Sequence, residues 1–332
     1  MPLAGEDRVK LQSLQEWIAL DLTALEAEVD RLLQSDDPMV QEICDHLAKG
    51  KGKRFRPTLL MLTAKHGSQS EPDAVFVAAC IEIVHLATLV HDDFIDSAET
   101  RRGNATVNVK WGPAAALIMG DWLYSKVFAL LCARGLFDAM RIVGMTTHQM
   151  SVAEMMQLEF HRKLDLSEED YLTVIQRKTG SLIEASCELG ARLHPDLQAH
   201  APAFAEYGRK VGLAFQITDD ILDYRGEDQR LGKPVGGDWR EGRITLPFIA
   251  ARRNAPRQEQ LELERAVQLA DDPADLWSDV HAFVQKHRGV EFAYERAHHY
   301  VELARQAISG VPVNPQQQIL STAAEYVLGR LH

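Results

Sequence analysis

From the first residues onward, apolar positions recur at spacings of three and four: Leu11, Leu14, Ile18, Leu22, Leu25, Val29 and Leu32. This is the signature of one face of an amphipathic helix, here ending near Ser35. Asp37-Pro38 then supplies an N-cap and a first-turn proline for a second helix running to Gly50. Comparable patterning predicts helices over 58–66, 73–96, 113–134, 136–161, 168–193, 202–225, 245–252, 257–269, 273–287 and 291–308. Sustained period-two alternation is missing and neither Asn-Gly nor Asp-Gly occurs, so the expected fold class is all-α. Without a fixed-period repeat or low-complexity tract, one helical domain over 1–332 is the simplest architecture. Five of the 21 glycines fall at Gly226, Gly232, Gly236, Gly237 and Gly242, which marks 226–242 as a mobile loop suited to a substrate lid.

Composition narrows the classes of function. With 46% hydrophobic and 25% charged residues the chain is a folded globular protein. Forty-eight acidic against 36 basic residues leave a net charge of −12, which removes the footprint of a nucleic-acid binder. Cys44, Cys80, Cys132 and Cys187 lie far apart with no CxxC spacing, so a zinc site and a redox pair are both disfavoured and a reducing cytoplasmic setting is expected. The acidic start lacks the basic n-region of a signal peptide. The long apolar stretch from Ala74 to Val90 contains Glu82 and His85 and is read as a buried helix, so no transmembrane segment is expected.

Chemistry concentrates in two repeated clusters. Asp92-Asp93-Phe94-Ile95-Asp96 and Asp219-Asp220-Ile221-Leu222-Asp223 share the spacing DDxxD, each inside an apolar helical pattern. At 3.6 residues per turn Asp92 and Asp96 share a face, as do Asp219 and Asp223. Like charges so placed among Val, Ile and Leu require a neutralising cation, since bare buried carboxylates would protonate. A single triplet fits a solvated acidic helix end equally well; two copies point to a metal. All-oxygen ligation selects a hard ion, and Mg²⁺ keeps waters and phosphates as further ligands, so Mg²⁺ and a phosphate-bearing substrate are expected.

Basic residues answer the acidic ones. Arg101 and Arg102 come after the first triplet, Gly50-Lys51-Gly52-Lys53-Arg54-Phe55-Arg56-Pro57 opens a helix, and Lys178-Thr179 and Lys233 complete the set. Each alone would be an ordinary surface charge; their joint occurrence with two carboxylate clusters is what points to phosphate. The P-loop pattern is not matched, which sets nucleoside triphosphates aside.

In this order the motifs resemble those of the trans-isoprenyl diphosphate synthases, the polyprenyl synthetase family. The resemblance is carried by Gly52 to Pro57, His85 through His91-Asp92-Asp93-Phe94-Ile95-Asp96 to Arg101-Arg102-Gly103, Gly120-Asp121-Trp122-Leu123, Lys178-Thr179-Gly180, Phe215 to Tyr224, Gly232-Lys233-Pro234, and Asp238 with Glu241 to Pro247. It implies a helical bundle around a deep cavity, a homodimer, and Mg²⁺ held by Asp92, Asp96 and Asp219 with Asp93, Asp220 and Asp223 in support. It implies Arg101, Lys178 and Lys233 on an allylic diphosphate. Lys53, Arg56, His85 and Arg102 would hold isopentenyl diphosphate, and Thr179 and Gln216 would face the reacting carbons. Ala153 before Glu154 departs from the family's usual glycine and bears on local packing rather than chemistry.

The reaction so implied is ionisation of the allylic C–O bond, attack by the isopentenyl double bond, and loss of a proton. Small residues at Ala87 and Thr88, with Val84 and Ile83 below them, are expected to line a deep pocket. At 1.5 Å per residue Phe76 would lie roughly 24 Å from Asp92, so a long product of hexaprenyl to decaprenyl size is expected, of the kind made by octaprenyl-type members. Met145, Met150, Met155 and Met156 are expected to serve chiefly as core filling. So apolar a product also implies transient contact with a membrane on release. The alternatives are a shorter, geranylgeranyl-type synthase, a non-catalytic subunit of a heteromeric synthase, and a terpene cyclase, the last disfavoured by the second DDxxD, Lys53 and Arg56.

Overall fold

A computed structural model describes residues 14, 16, 18–50, 52–65, 72–225, 235–311 and 314–331. Lys51, Lys233 and the segment 226–234 of the glycine-rich loop lie outside the described residues. Helices dominate: α1 (Ala19–Leu32), α2 (Pro38–Lys49), α3 (Phe55–Ala64) and α4 (Pro72–Ile95) come first. Next along the chain are α5 (Val107–Trp111), α6 (Pro113–Ala133), α7 (Phe137–Glu159), α8 (Glu168–Ile175), α9 (Ser181–Leu193) and α10 (Ala201–Arg225). The chain ends with α11 (Gly237–Arg240), α12 (Leu246–Asn254), α13 (Arg257–Leu269), α14 (Trp277–Lys286), α15 (Gly289–Ala307) and α16 (Asn314–Gly329). The all-α expectation holds, and Asp37 caps α2 as its position predicts, accepting from the backbone N–H of Met39 and Val40 at 3.0 Å each.

Three elements depart from the sequence pattern. A small antiparallel hairpin pairs Thr100 with Ala105 and Arg101 with Asn104. Its turn is Arg102-Gly103 with φ of 52° and 80°, the conformation usually signalled by Asn-Gly, here reached without it. The pattern over 168–193 is interrupted by a π-helical turn at Gln176–Gly180, a feature that recurs at functional sites. The C-terminal helix α16 has no counterpart among the predicted elements.

Apolar packing forms two clusters that meet along α10. One gathers α1 to α4, α6, α9 and the first half of α10; the other gathers the second half of α10 with α12, α14 and α15. Helix α4 runs through the first, with Ala74, Val77, Ala78, Ile81, Val84 and Ala87 inaccessible, as expected of the Ala74–Val90 stretch. By length and composition α4 and α6 could each cross a membrane, but 72% of the apolar window of α4 is buried against 33% for α6. On α6 and α7 Ile118, Phe137, Met145, Met155 and Leu158 are exposed, so of the four methionines expected as filling only Met150 is fully buried.

Two helices approach unusually closely where the site is built. A Cβ on Gly212 would lie 2.5 Å from Gly180 Cα, and one on Gly208 would lie 2.7 Å from the Ile183 carbonyl oxygen. Gly208, Gly212 and Gln216 are spaced four apart, so one stripe of α10 carries the contact and then the functional amide. Gly212→Ala is expected to cost about 1–3 kcal/mol through overpacking of backbone on backbone, read as a lowered Tm in thermal unfolding.

Candidate active site

Helices α3, α4, α6, α7, α10, the π turn and the residues after α16 wall a cavity of ≈ 950 Å³. Its polar lining includes Lys53, Arg56, His85, Asp92, Arg102, Lys178, Thr179, Gln216 and Asp219, and its apolar lining Leu89, Phe94, Leu117, Tyr124, Met150 and Phe215. A second hollow of ≈ 250 Å³ shares Asp92, Lys178, Thr179 and Gln216 with the first and adds Asp96, Arg101, Asp220, Asp238 and Arg243. The two carboxylate clusters and three of the four basic groups thus come together, although they lie far apart along the chain. Lys233 falls outside the described residues.

The basic wall is held by charge rather than by loop flexibility. Arg54 sits at φ 52° before α3, a conformation disfavoured for a residue with a side chain. It donates to Glu26 at 2.7 Å and to Glu82 at 2.5 Å. Burial works against the guanidinium charge, but the two carboxylates more than offset it and raise its pKa. This brace fixes the stretch between Lys53 and Arg56, both of which face the cavity. Arg56 donates to His85 Nε2 at 3.3 Å. Burial, and then the surrounding arginines beginning with Arg56, push the His85 pKa well down, so its imidazole is neutral. Its Nε2 therefore accepts from Arg56 and orients that arginine, and His85 itself lines the cavity. The left-handed turn at Arg102 separates two consecutive arginines: Arg102 reaches the large cavity and the Gly50 carbonyl at 2.5 Å, while Arg101 forks onto Asp93 at 2.7 and 2.9 Å.

Each carboxylate of the two clusters has its own partner. Lys178 lies 3.9 Å from Asp92 and also binds Glu154 at 2.8 Å and Gln157 at 2.6 Å. Arg243 meets Asp96 at 3.4 Å and Arg330 meets Asp219 at 2.5 Å. Burial raises the Asp92 pKa against the pull of Lys178, and burial raises that of Asp219 against Arg330. Burial, and then the nearby Asp238, also raise the pKa of Asp220 and Asp223, so all four acids are incompletely compensated by their protein partners, as the donors of a hard cation would be. No group of three or more acidic, histidine or cysteine side chains suited to a metal ion converges among the described residues.

Asp220 and Asp223 are partnered within the protein. The two oxygens of Asp220 accept from Tyr171 at 2.6 Å and from Gln216 at 2.8 Å, and the residue is 3% exposed. Those of Asp223 accept from the backbone N–H of Gly237 and Asp238, each at 3.0 Å, and it lines neither hollow. Both are held by protein hydrogen bonds, Asp220 at the wall of the smaller hollow and Asp223 at the start of α11. The expected product pocket also changes. Ala87, Val84 and Ile83 are inaccessible and belong to the core, and of the four residues expected there only Thr88 lines the cavity. Five residues turn a helix by about 140° past a full turn, so Ala87 points well away from Asp92, whereas Thr88, Leu89 and His85 share its side.

Tyr171, Glu154, Gln157, Asp238, Arg243 and Arg330 were not singled out by spacing. Arg330 lies just past α16. Its guanidinium stacks 4.5 Å from the Phe215 ring, and its Nη1 is buried without a partner at the cavity wall.

A fold of this kind, with paired acidic helices and a basic wall around one hollow, is that of the isoprenyl diphosphate synthases. Residues 37–282 match the polyprenyl synthetase family, and the chain belongs to it. It is 32% identical over 96% of its length to the heptaprenyl diphosphate synthase component 2 of Geobacillus stearothermophilus, covering 98% of that protein. The crystal structure of a decaprenyl diphosphate synthase from Rhodobacter capsulatus matches with a TM-score of 0.87 at 32% identity, over 97% of this chain and 99% of that one. A polyprenyl synthase from Caulobacter crescentus, crystallised with calcium and isoprenyl diphosphate, matches with a TM-score of 0.88 at 29% identity, over 97% and 98%.

Glu82→Gln is expected to lower stability by about 2 kcal/mol, the scale of a buried hydrogen bond to a charged group, measured by denaturant unfolding.

Proposed function

We propose that this protein is a Mg²⁺-dependent prenyltransferase that adds isopentenyl diphosphate units to an allylic diphosphate, farnesyl or geranylgeranyl, giving a long-chain all-trans polyprenyl diphosphate. One observation carries the reading: Asp92 and Asp219 face a single cavity whose other polar walls are Lys53, Arg56, Arg102 and Lys178. The decaprenyl and heptaprenyl synthase relatives support the long product.

In this reading Asp92, Asp96 and Asp219 hold Mg²⁺, which when bound neutralises the departing diphosphate as a Lewis acid. Lys178, beside Asp92 and shared by both hollows, grips the same leaving group, and Arg101 approaches it from the smaller hollow. Lys53, Arg56 and Arg102 seat the second diphosphate, with His85 aligning Arg56. Leu89, Tyr124, Met150 and Phe215 exclude water from the hydrocarbon tails. The Thr179 hydroxyl and Gln216 carbonyl present dipoles, with no strong nucleophile, toward the allylic cation, and diphosphate serves as the base that removes the last proton.

The chain works as a homodimer in this reading. Its support is the apolar face of α6 and α7, where Ile118 and Met155 are 66% and 67% exposed. The four free cysteines support a reducing, cytoplasmic setting.

Purified protein given Mg²⁺, isopentenyl diphosphate and farnesyl diphosphate is expected to extend the primer by several units, read by mass analysis of the lipid. Isoprenyl hydrocarbon would identify a cyclase, and silence from the chain alone a partner subunit. Asp92→Ala and Asp219→Ala should each lower turnover by at least about 10²-fold; near-normal rates would remove the metal assignment. Thr88→Phe narrows the cavity beside Asp92 and should shift the product to shorter chains, with an unchanged distribution counting against this wall as the limit on length.

A further inference from the structure

Thr179 and Gln216, which the proposed reaction uses, are the cavity end of a chain of four side chains whose other two, Tyr171 and Asp220, it does not by itself require. Tyr171 donates to Asp220 Oδ2 at 2.6 Å, Gln216 Nε2 donates to Asp220 Oδ1 at 2.8 Å, and Thr179 Oγ1 donates to Gln216 Oε1 at 2.7 Å. Tyr171 and Asp220 are each 3% exposed, whereas Thr179 and Gln216 line both hollows. The directions of these bonds are dictated by what each group can do. A carboxylate only accepts, so the Gln216 amide must turn its NH₂ to Asp220 and its oxygen to Thr179. An amide oxygen also only accepts, so the Thr179 hydroxyl must spend its proton on Gln216. Its lone pairs are then the part of the hydroxyl left for the cavity.

We infer that Tyr171 and Asp220 are positioning residues that set the polarity of the dipoles facing the allylic cation. Asp220 fixes the orientation of the Gln216 amide, and Tyr171 holds Asp220 by its second oxygen so that it cannot rotate away. Were Gln216 to flip, its NH₂ would meet Thr179, the hydroxyl would accept, and its proton would be free to point at the developing positive charge. The same two atoms would then oppose ionisation that they now favour. This inference rests on the reading of the cavity as the place where an allylic diphosphate ionises. It also gives Asp220 a task at the wall of the smaller hollow.

The relay separates from a merely structural role by a double-mutant cycle. Tyr171→Phe is expected to lower kcat for condensation of farnesyl and isopentenyl diphosphates about tenfold, with KM for both within about twofold, since only the transition state feels the dipole. Thr179→Val, which deletes the hydroxyl being oriented, should lower kcat further. The double variant Tyr171→Phe/Thr179→Val should lose less than the product of the two single losses, because only the Gln216 amide is left to misorient. Losses that multiply, or a Tyr171→Phe defect that appears as raised KM, would overturn the relay. Thermal unfolding of each variant identifies any global loss of fold, which would appear as multiplying losses in the cycle. A wild-type chain that extends no primer instead overturns the underlying reading, and the relay falls with it.

Discussion

The structure depends on how six aspartates are partnered within two helices of the core. An unpaired carboxylate removed from water would take up a proton instead. Here the first cluster is met by Lys178, Arg101 and Arg243, and the second by Arg330, two backbone amides and a tyrosine–glutamine pair. Helices α4 and α10 can therefore both pack into the core and carry a triplet of aspartates each. The cations come from segments distant in sequence, so this neutralisation also ties the fold together: Arg330 lies just past the last helix, and Arg243 links the loop before α12 to the end of α4.

Close approach of backbone is the second requirement. The Gly180–Gly212 contact lets the π turn lie directly on α10, and the extra residue of that turn shifts the register of α9 relative to α8. Lys178 and Thr179 are consecutive yet meet different partners, Glu154 and Gln157 on α7 for the lysine and Gln216 on α10 for the threonine. A residue larger than glycine at either position would part these elements and break the contacts that make Thr179 and Gln216 one unit.

Much of this was legible in the sequence, because helical periodicity is local. Spacing placed Asp92 and Asp96 on one side, and both line the smaller hollow. What spacing could not supply was the partner across space. Asp219 and Asp223 share a helix face, yet Asp223 is captured by the start of α11, which no pattern within α10 announces. Ala87 is close to Asp92 along the chain but lies in the core, turned away around the helix axis. Tyr171 reads as an ordinary apolar position of α8 until Asp220 is found at its hydroxyl. The C-terminal helix escaped notice, and with it Arg330, the cation on the second cluster.

The partnering has a consequence for ligand binding. A cation alone approaching Asp92 or Asp219 must compete with Lys178 or Arg330 already beside it. A metal arriving with a diphosphate brings its own negative oxygens, to which those same side chains can turn, so neither they nor the carboxylates are left unpaired in low dielectric. On the proposed reading, a metal and a diphosphate arriving together would leave Asp92, Asp219, Lys178 and Arg330 each with a partner. The unpartnered Nη1 of Arg330 and the buried Nε of Arg56 at the same wall fit such an exchange, since each is a donor held ready where a second set of phosphate oxygens would lie.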